Sequence, residues 1–196
     1  MDNAALGLLN LNGNLDNQGH AVYFAGMGAI TVNGGISGAG QVVNYRSILT
    51  MTNNTYSGGT LLQNGTTILG ADQALSSGSV VFTGGTLLAT NGPRTITNAV
   101  ALQGPAMTIG GADALTFTGL WSQTNSTLTI NNTALTRFSG GIVLAENNLS
   151  RTLTLNVATT ALVDSVITNG PGSGPDGLTK AGLGTLTLSA STATLG

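Results

Sequence analysis

The chain has 196 residues, and Gly (30), Thr (30), Asn (19) and Ser (14) supply nearly half of them. Charged residues are 6%, aromatics 4%, cysteine is absent and the net charge is −2, whereas an ordinary soluble domain is about 25% charged. An apolar share of 41% is too high for a disordered chain, the missing Cys excludes a disulfide scaffold, and five Lys+Arg against seven Asp+Glu leave no basic footprint for nucleic acid.

Thr, Val, Ile and Gly favour strands and turns over helices. The composition therefore points to a β protein with an uncharged polar surface, one with little self-repulsion and a tolerance for close association with its own copies. At the N-terminus, Met1-Asp2-Asn3-Ala4-Ala5-Leu6-Gly7-Leu8-Leu9 lacks the basic opening of a secretory signal. Either a signal has been removed or the chain is a piece of a longer one. No apolar run approaches the roughly 20 residues of a membrane span. The polar stretch Asn10–Gly19 reads as a turn or a loop of the first coil.

From there the chain is dominated by a repeat. Gly-Gly pairs occur at Gly34-Gly35, Gly58-Gly59, Gly84-Gly85, Gly110-Gly111 and Gly140-Gly141, spaced 24, 26, 26 and 30 residues apart. Apolar runs flank them: Ile30-Thr31-Val32, Val80-Val81-Phe82 and Met107-Thr108-Ile109 before, Thr60-Leu61-Leu62, Thr86-Leu87-Leu88 and Ile142-Val143-Leu144 after. Each pair reads as a corner between two short strands. Asn-Gly pairs at Asn12, Asn33, Asn64, Asn91 and Asn169 mark further turns. Thr127-Leu128-Thr129-Ile130, Thr152-Leu153-Thr154-Leu155 and Thr185-Leu186-Thr187-Leu188 alternate with period two, apolar on one face and Thr on the other.

A sandwich of hairpins repeats its strands every 8–12 residues. A sequence period of about 25, with two or three strands in it, favours a coil that stacks on itself through parallel ladders. Stacked Thr, Asn and Leu suit identical neighbours, and stacked charges repel. The expected interior is small and aliphatic, too narrow for large aromatics. The whole chain, 1–196, is read as one solenoid domain, with the Gly/Pro-rich stretch 169–177 as a loop projecting from it.

One segment carries a family resemblance. Asn54-Thr55-Tyr56-Ser57-Gly58-Gly59-Thr60, followed by Asn64-Gly65-Thr66 and Leu69-Gly70, resembles the autotransporter-associated β-strand repeat, also called the passenger-associated transport repeat. The opening half of that repeat is matched by Lys180-Ala181-Gly182-Leu183-Gly184-Thr185-Leu186-Thr187-Leu188-Ser189, and more weakly by Gly38-Ala39-Gly40 to Leu49-Thr50-Met51. The close match covers about 40 residues. It implies a right-handed parallel β-helix (β-solenoid) in a secreted or surface-displayed bacterial protein, often a stalk, and it brings no catalytic residue. Two features depart from the family: no segment supplies an outer-membrane barrel, and Ser189-Ala190-Ser191-Thr192-Ala193 lacks the Asn-Thr-Tyr that should follow an intact opening half.

With repeat-like sequence at both ends and no evident polar cap, two outcomes are expected. Identical subunits stack head to tail into a filament, or the chain is a fragment of a longer solenoid. Candidate contacts are Ala4, Leu6, Leu8, Leu9 and Leu11 at one end and Leu186, Leu188 and Leu195 at the other. The apolar Ala4–Leu11 segment could alternatively be donated as a strand to a neighbour.

Little in the chain suggests catalysis. The carboxylates Asp2, Asp16, Asp72, Asp113, Glu146, Asp164 and Asp176 are scattered, with none of the close pairing that glycoside hydrolysis needs. Asp72 and Asp113 share a Gly-Ala-Asp turn and would approach only if their coils were neighbours. His20 stands alone, so no metal site is expected, and no phosphate loop is present. Tyr23, Phe24, Tyr45, Tyr56 and Trp121 could form a sugar platform, but they share no period and read as core or corner residues. The five N-x-S/T sequons fall within the chance expectation of so Asn- and Thr-rich a chain. The sequence therefore predicts an all-β solenoid that is structural, non-enzymatic and extracellular, with no cofactor and no transmembrane segment. Its expected partners are its own copies and, as a second reading, surface glycans met by loops such as 169–177. A polysaccharide-acting β-helix enzyme ranks third.

Overall fold

The computed structural model describes residues 2–3, 7–171 and 175–190. Every regular element in it is a strand. The chain begins with β1 (Asp2–Asn3), β2 (Leu8–Leu11), β3 (Leu15–Asp16), β4 (Val22–Gly26), β5 (Ala29–Val32), β6 (Ile36–Ser37), β7 (Val42–Met51) and β8 (Thr60–Leu69). It continues with β9 (Val80–Phe82), β10 (Thr86–Ala89), β11 (Arg94–Ile96), β12 (Val100–Leu102), β13 (Ala106–Gly110), β14 (Leu115–Phe117), β15 (Trp121–Gln123) and β16 (Thr127–Ile130). It closes with β17 (Thr136–Phe138), β18 (Ile142–Val143), β19 (Thr152–Val157), β20 (Thr160–Val163), β21 (Ile167–Thr168), β22 (Gly177–Ala181) and β23 (Thr185–Leu188).

All the pairings are parallel, and they wind the chain into a β-solenoid of about eight turns with three faces. Face A stacks β1, β4, the first halves of β7 and β8, then β9, β12, β15, β18 and β21. Face B stacks β2, β5, the second halves of β7 and β8, then β10, β13, β16, β19 and β22. The ten-residue strands β7 and β8 run through the A/B corner without breaking, which joins the two faces into one 16-stranded sheet. Face C holds the pair β3–β6 and the five-stranded sheet β11–β14–β17–β20–β23. Between them lie two turns without strands. Here single bonds keep the ladder going: Thr55 N–H to the Ile36 carbonyl (2.8 Å), Ser57 N–H to Gly38 (2.9 Å) and Asn54 N–H to Gln73 (3.2 Å).

The turn is shorter than the glycine spacing suggests. Val80 is paired with Val100, and Val100 with Trp121, offsets of 20 and 21 residues. The Gly-Gly pairs do not stack. Gly34-Gly35 lies between faces B and C, Gly58-Gly59 between C and A, Gly84-Gly85 between A and B, Gly110-Gly111 at B to C, and Gly140-Gly141 at C to A. Each interval of 24–30 residues spans four faces rather than three, so the pair advances by one corner each time. The expected period of about 25 is thus corrected to about 20 for the central turns, whereas it holds in the last ones, where Ile142 pairs with Ile167 and Leu153 with Leu178.

Alternation places one side of the strands from β5 to β21 inside. Ile30, Leu49, Thr67, Leu87, Ile109, Ile130 and Val157 form one continuous inward column on face B, and all are buried. The interior is a single cluster from Phe24 to Ile167. It is not purely aliphatic, as the sequence suggested: Phe24, Tyr56, Phe82, Phe117, Trp121 and Phe138 are all inside. Phe117, Trp121 and Phe138 pack on one another, with centroids 4.8, 5.0 and 5.5 Å apart. Phe117 and Phe138 are register partners on adjacent turns, whereas Phe24 lies beside Asn44 and Phe82 between Leu62 and Leu102.

Candidate functional site

Corners are where a solenoid leaves backbone groups without ladder partners, and an unpaired buried group is costly. In this chain inward-facing amides meet that need. The Asn17 side chain accepts from Gly40 N–H and donates to the Gly40 carbonyl, both at 2.8 Å. Asn54 accepts from Ile36 N–H (2.8 Å) and donates to the Ala74 carbonyl (2.7 Å). Asn98 donates to the Ser76 (3.0 Å) and Gly78 (2.6 Å) carbonyls. The Gln123 carbonyl oxygen caps Ser126 N–H at 2.7 Å. Asn44, Asn54, Asn98 and Asn132 are all at most 4% exposed, and sequence reasoning missed them by placing Asn at the surface. A signal was present: Asn17, Asn44, Asn98 and Asn132 each stand two positions after an inward aliphatic residue (Leu15, Val42, Ile96, Ile130) and so keep its parity.

The carboxylates are dispersed along the rod. Asp72 occupies the B/C corner after β8 and Asp113 the same corner after β13, with the Asn91-Gly92 corner of the intervening turn between them. Their coils are not neighbours, so the two do not form a pair. Asp72 instead accepts from Thr95 N–H of the next turn at 3.0 Å. Asp16 accepts from Gln18 N–H (3.0 Å). Glu146 accepts from Ser122 (2.6 Å) and Gln103 (3.2 Å), tying three turns together on the A/B edge. Asp164 is bonded to the Arg137 guanidinium, through Nε at 2.8 Å, and to Ser139 Oγ at 2.8 Å. These bonds hold the Asp164 carboxyl below the usual range, with Arg137 the larger cause. Among the described residues no three His, Cys, Asp or Glu come together as metal ligands, and no pocket indents the surface.

The aromatic candidates separate. Phe24, Tyr56 and Trp121 are interior. The Tyr56 hydroxyl meets Thr60 Oγ1 at 2.5 Å, and burial pushes its pKa up. Tyr45 sits at the A/B corner, with the Arg46 guanidinium 5.0 Å from its ring centroid, and Tyr23 is 55% exposed. No shared platform results. His20 is exposed at a C/A corner.

Of the candidate subunit contacts, Ala4, Leu6 and Leu195 lie outside the described residues. Leu8, Leu9 and Leu11 belong to β2, which pairs in register with Ala29, Ile30 and Val32 of β5. That segment fills the first place on its own face B. Leu9 and Leu11 pack against the core, whereas Leu8 is 64% exposed. At the other end Leu186 lies over Ala161 and Leu188 over Val163. Leu186 packs on the core and Leu188 is 51% exposed.

The predicted loop 169–177 leaves the A/B corner between β21 and β22. Asp176, nearly buried, fastens it by accepting from Arg151 N–H (2.9 Å) and Gly170 N–H (2.7 Å). Sequence reasoning missed its neighbour: the A/B connection of the preceding turn, Leu144 to Arg151, is equally long. In the three turns before that, three residues make the same corner. Residues 172–174 lie outside the described residues; the described flanks of that connection lie against the preceding one, and Arg151 Nε and Asn169 Oδ1 are buried there without a hydrogen-bond partner. No helix among the described residues is long and apolar enough to cross a membrane. No protein-family model matches the chain, and neither curated proteins nor solved structures give a significant match.

Proposed function

We propose that this chain is a structural, non-enzymatic solenoid of a secreted or surface-displayed bacterial protein, a stiff scaffold that assembles end to end. The observation that carries the reading is the parallel ladder, which runs from β2 to β22 on face B with every neighbour in register. Such a body resists local unfolding because each turn is held by the turns on both sides. The scattered carboxylates support a non-catalytic role, since Asp72, Glu146, Asp164 and Asp176 are each engaged by backbone or side chains of their own or a neighbouring turn. The resemblance of residues 54–70 to the autotransporter-associated repeat supports the extracellular setting. Within the described residues β22 and β23 are paired on one side only, and an unpaired parallel edge beside Leu186 and Leu188 is a template for another turn. Sedimentation velocity and negative-stain microscopy over a wide concentration range test the assembly. Concentration-dependent, unbranched filaments are the expected result, and a stable monomer at high concentration contradicts it.

A second reading is favoured by the paired loops at Leu144–Arg151 and 169–177. Two adjacent long loops with unpartnered buried polar atoms suit a binding end on a stalk, with glycans as the ligand class. A glycan array screened with the intact chain and with a variant shortened at 147–149 tests it. Binding lost in the shortened variant supports the reading, and an array blank for both removes it.

A further inference from the structure

The outward side of face B differs from the other two faces. Thr66, Thr86, Thr108 and Thr129 are register partners on four adjacent strands. Thr127, Thr154 and Thr179 make a second column on β16, β19 and β22, and Thr31 and Thr50 a third on β5 and β7. The remaining outward positions from β5 to β22 are Ala, Ile, Leu, Gly or Asn, apart from Thr152. None is charged or aromatic. Face C, in contrast, carries Arg137 in its outward column. The registers from β8 to β22 contain no bulge on this face, so each column is regular, and β16 and β19 carry two outward threonines each.

Most of these threonines differ in hydrogen bonding from those at the corners, although Thr129 accepts from the Asn156 amide at 3.4 Å. At the corners, Thr52, Thr83, Thr118 and Thr124 turn their hydroxyls back on the carbonyls of Val32, Leu62, Ile96 and Leu102 of the previous turn, at 3.2–3.4 Å. The hydroxyls of Thr66, Thr86, Thr108 and Thr127 make no hydrogen bond to any described residue. They present methyl and hydroxyl together to solvent, and β-branching holds each near one rotamer. Stacked strands repeat about every 4.8 Å, and outward residues along a strand about every 6.6 Å. The distance between strands is close to the oxygen repeat along one axis of the prism face of hexagonal ice, so a threonine column can run along that axis. A charged face keeps its water in radial shells that cannot join such a lattice, whereas an uncharged, rigid, half-apolar one can. A crystalline polysaccharide, the other periodic ligand, is gripped by aromatic rings, which this face lacks.

We propose that face B binds ice: its threonine columns order a layer of water that merges with the crystal lattice. The inference rests on the fold and register, independently of the scaffold reading. Thermal hysteresis and ice-recrystallisation assays on the intact chain test it, together with Thr108→Lys on face B and Thr95→Lys on face C. The expected result is activity in the parent chain, a several-fold loss in Thr108→Lys and no loss in Thr95→Lys, with all three melting alike. An inactive parent chain, or equal losses in the two variants, overturns the proposal. So does a concentration-dependent dimer abolished by Thr108→Lys, which would make the face an interface between copies.

Discussion

Single residues decide whether neighbouring turns can approach. A Cβ at Gly104 would lie 1.8 Å from the Thr83 carbonyl oxygen, whereas one at Gly13 would meet nothing within 4 Å. Gly104→Ala should therefore destabilise by about 3 kcal/mol, the upper range for overpacking, and Gly13→Ala by less than about 0.5 kcal/mol; urea denaturation of both measures the difference. Asn54→Leu keeps the volume but strands the Ile36 N–H and the Ala74 carbonyl. At about 1–3 kcal/mol per unsatisfied buried group, its loss of stability should exceed that of an exposed Asn12→Leu variant several-fold. The Arg137–Asp164 pair sets a pH dependence. A carboxyl whose folded pKa is lowered stabilises the fold above its unfolded value of about 3.9, and that stability is lost as pH falls through the lower folded value. Melting temperature should decline below about pH 4, less steeply in Asp164→Asn. The pair lies at the surface, so the effect is small. Much of this scale was hidden in the sequence, because an Asn facing inward and an Asn facing water are the same letter; only the parity it shares with Leu15, Val42, Ile96 or Ile130 tells them apart.

At the scale of elements, the alternating segments were legible. Thr127–Ile130 and Thr185–Leu188 are strands with the boundaries their alternation implies, because burial of one face forces period two. Long-range packing was not legible. Phe117 and Trp121 are close in sequence, but Phe138 joins them because the turn is 21 residues there, and a period of 25 would have placed it elsewhere. The Trp121 indole is 2% exposed and is the one tryptophan of the chain. Its fluorescence should be blue-shifted, shielded from iodide, and move to the red in a single transition on unfolding. Trp121→Ala should destabilise by about 3–5 kcal/mol, the range for large aromatics in cores. The A/B loops behave oppositely. Their length in the last two turns was only half visible, because Pro and Gly announced 169–177 while Leu144–Arg151 contains neither.

For the whole molecule, the composition and the fold have one explanation. A rod built by stacking like on like has no use for charge inside a column, and 6% charged residues suffice when hydroxyls and amides cover the surface. Stability in such a body is a sum of turn and interface terms, so amide exchange should be slowest in the central turns around β12–β17 and fastest at the described ends. In the central turns the glycine spacing misled because it measures four faces of a three-faced coil. The register of adjacent turns can be tested directly. The chain has no cysteine, and residues paired across adjacent parallel strands lie within the Cα separation that a disulfide bridges. A Thr108→Cys/Thr129→Cys double variant joins two register partners, whereas Thr108→Cys/Thr133→Cys joins residues one glycine-derived period apart. Under mild oxidation the first pair should close an intramolecular disulfide nearly completely and the second should stay reduced. Closure of the second pair with the first left open would contradict the solenoid described above.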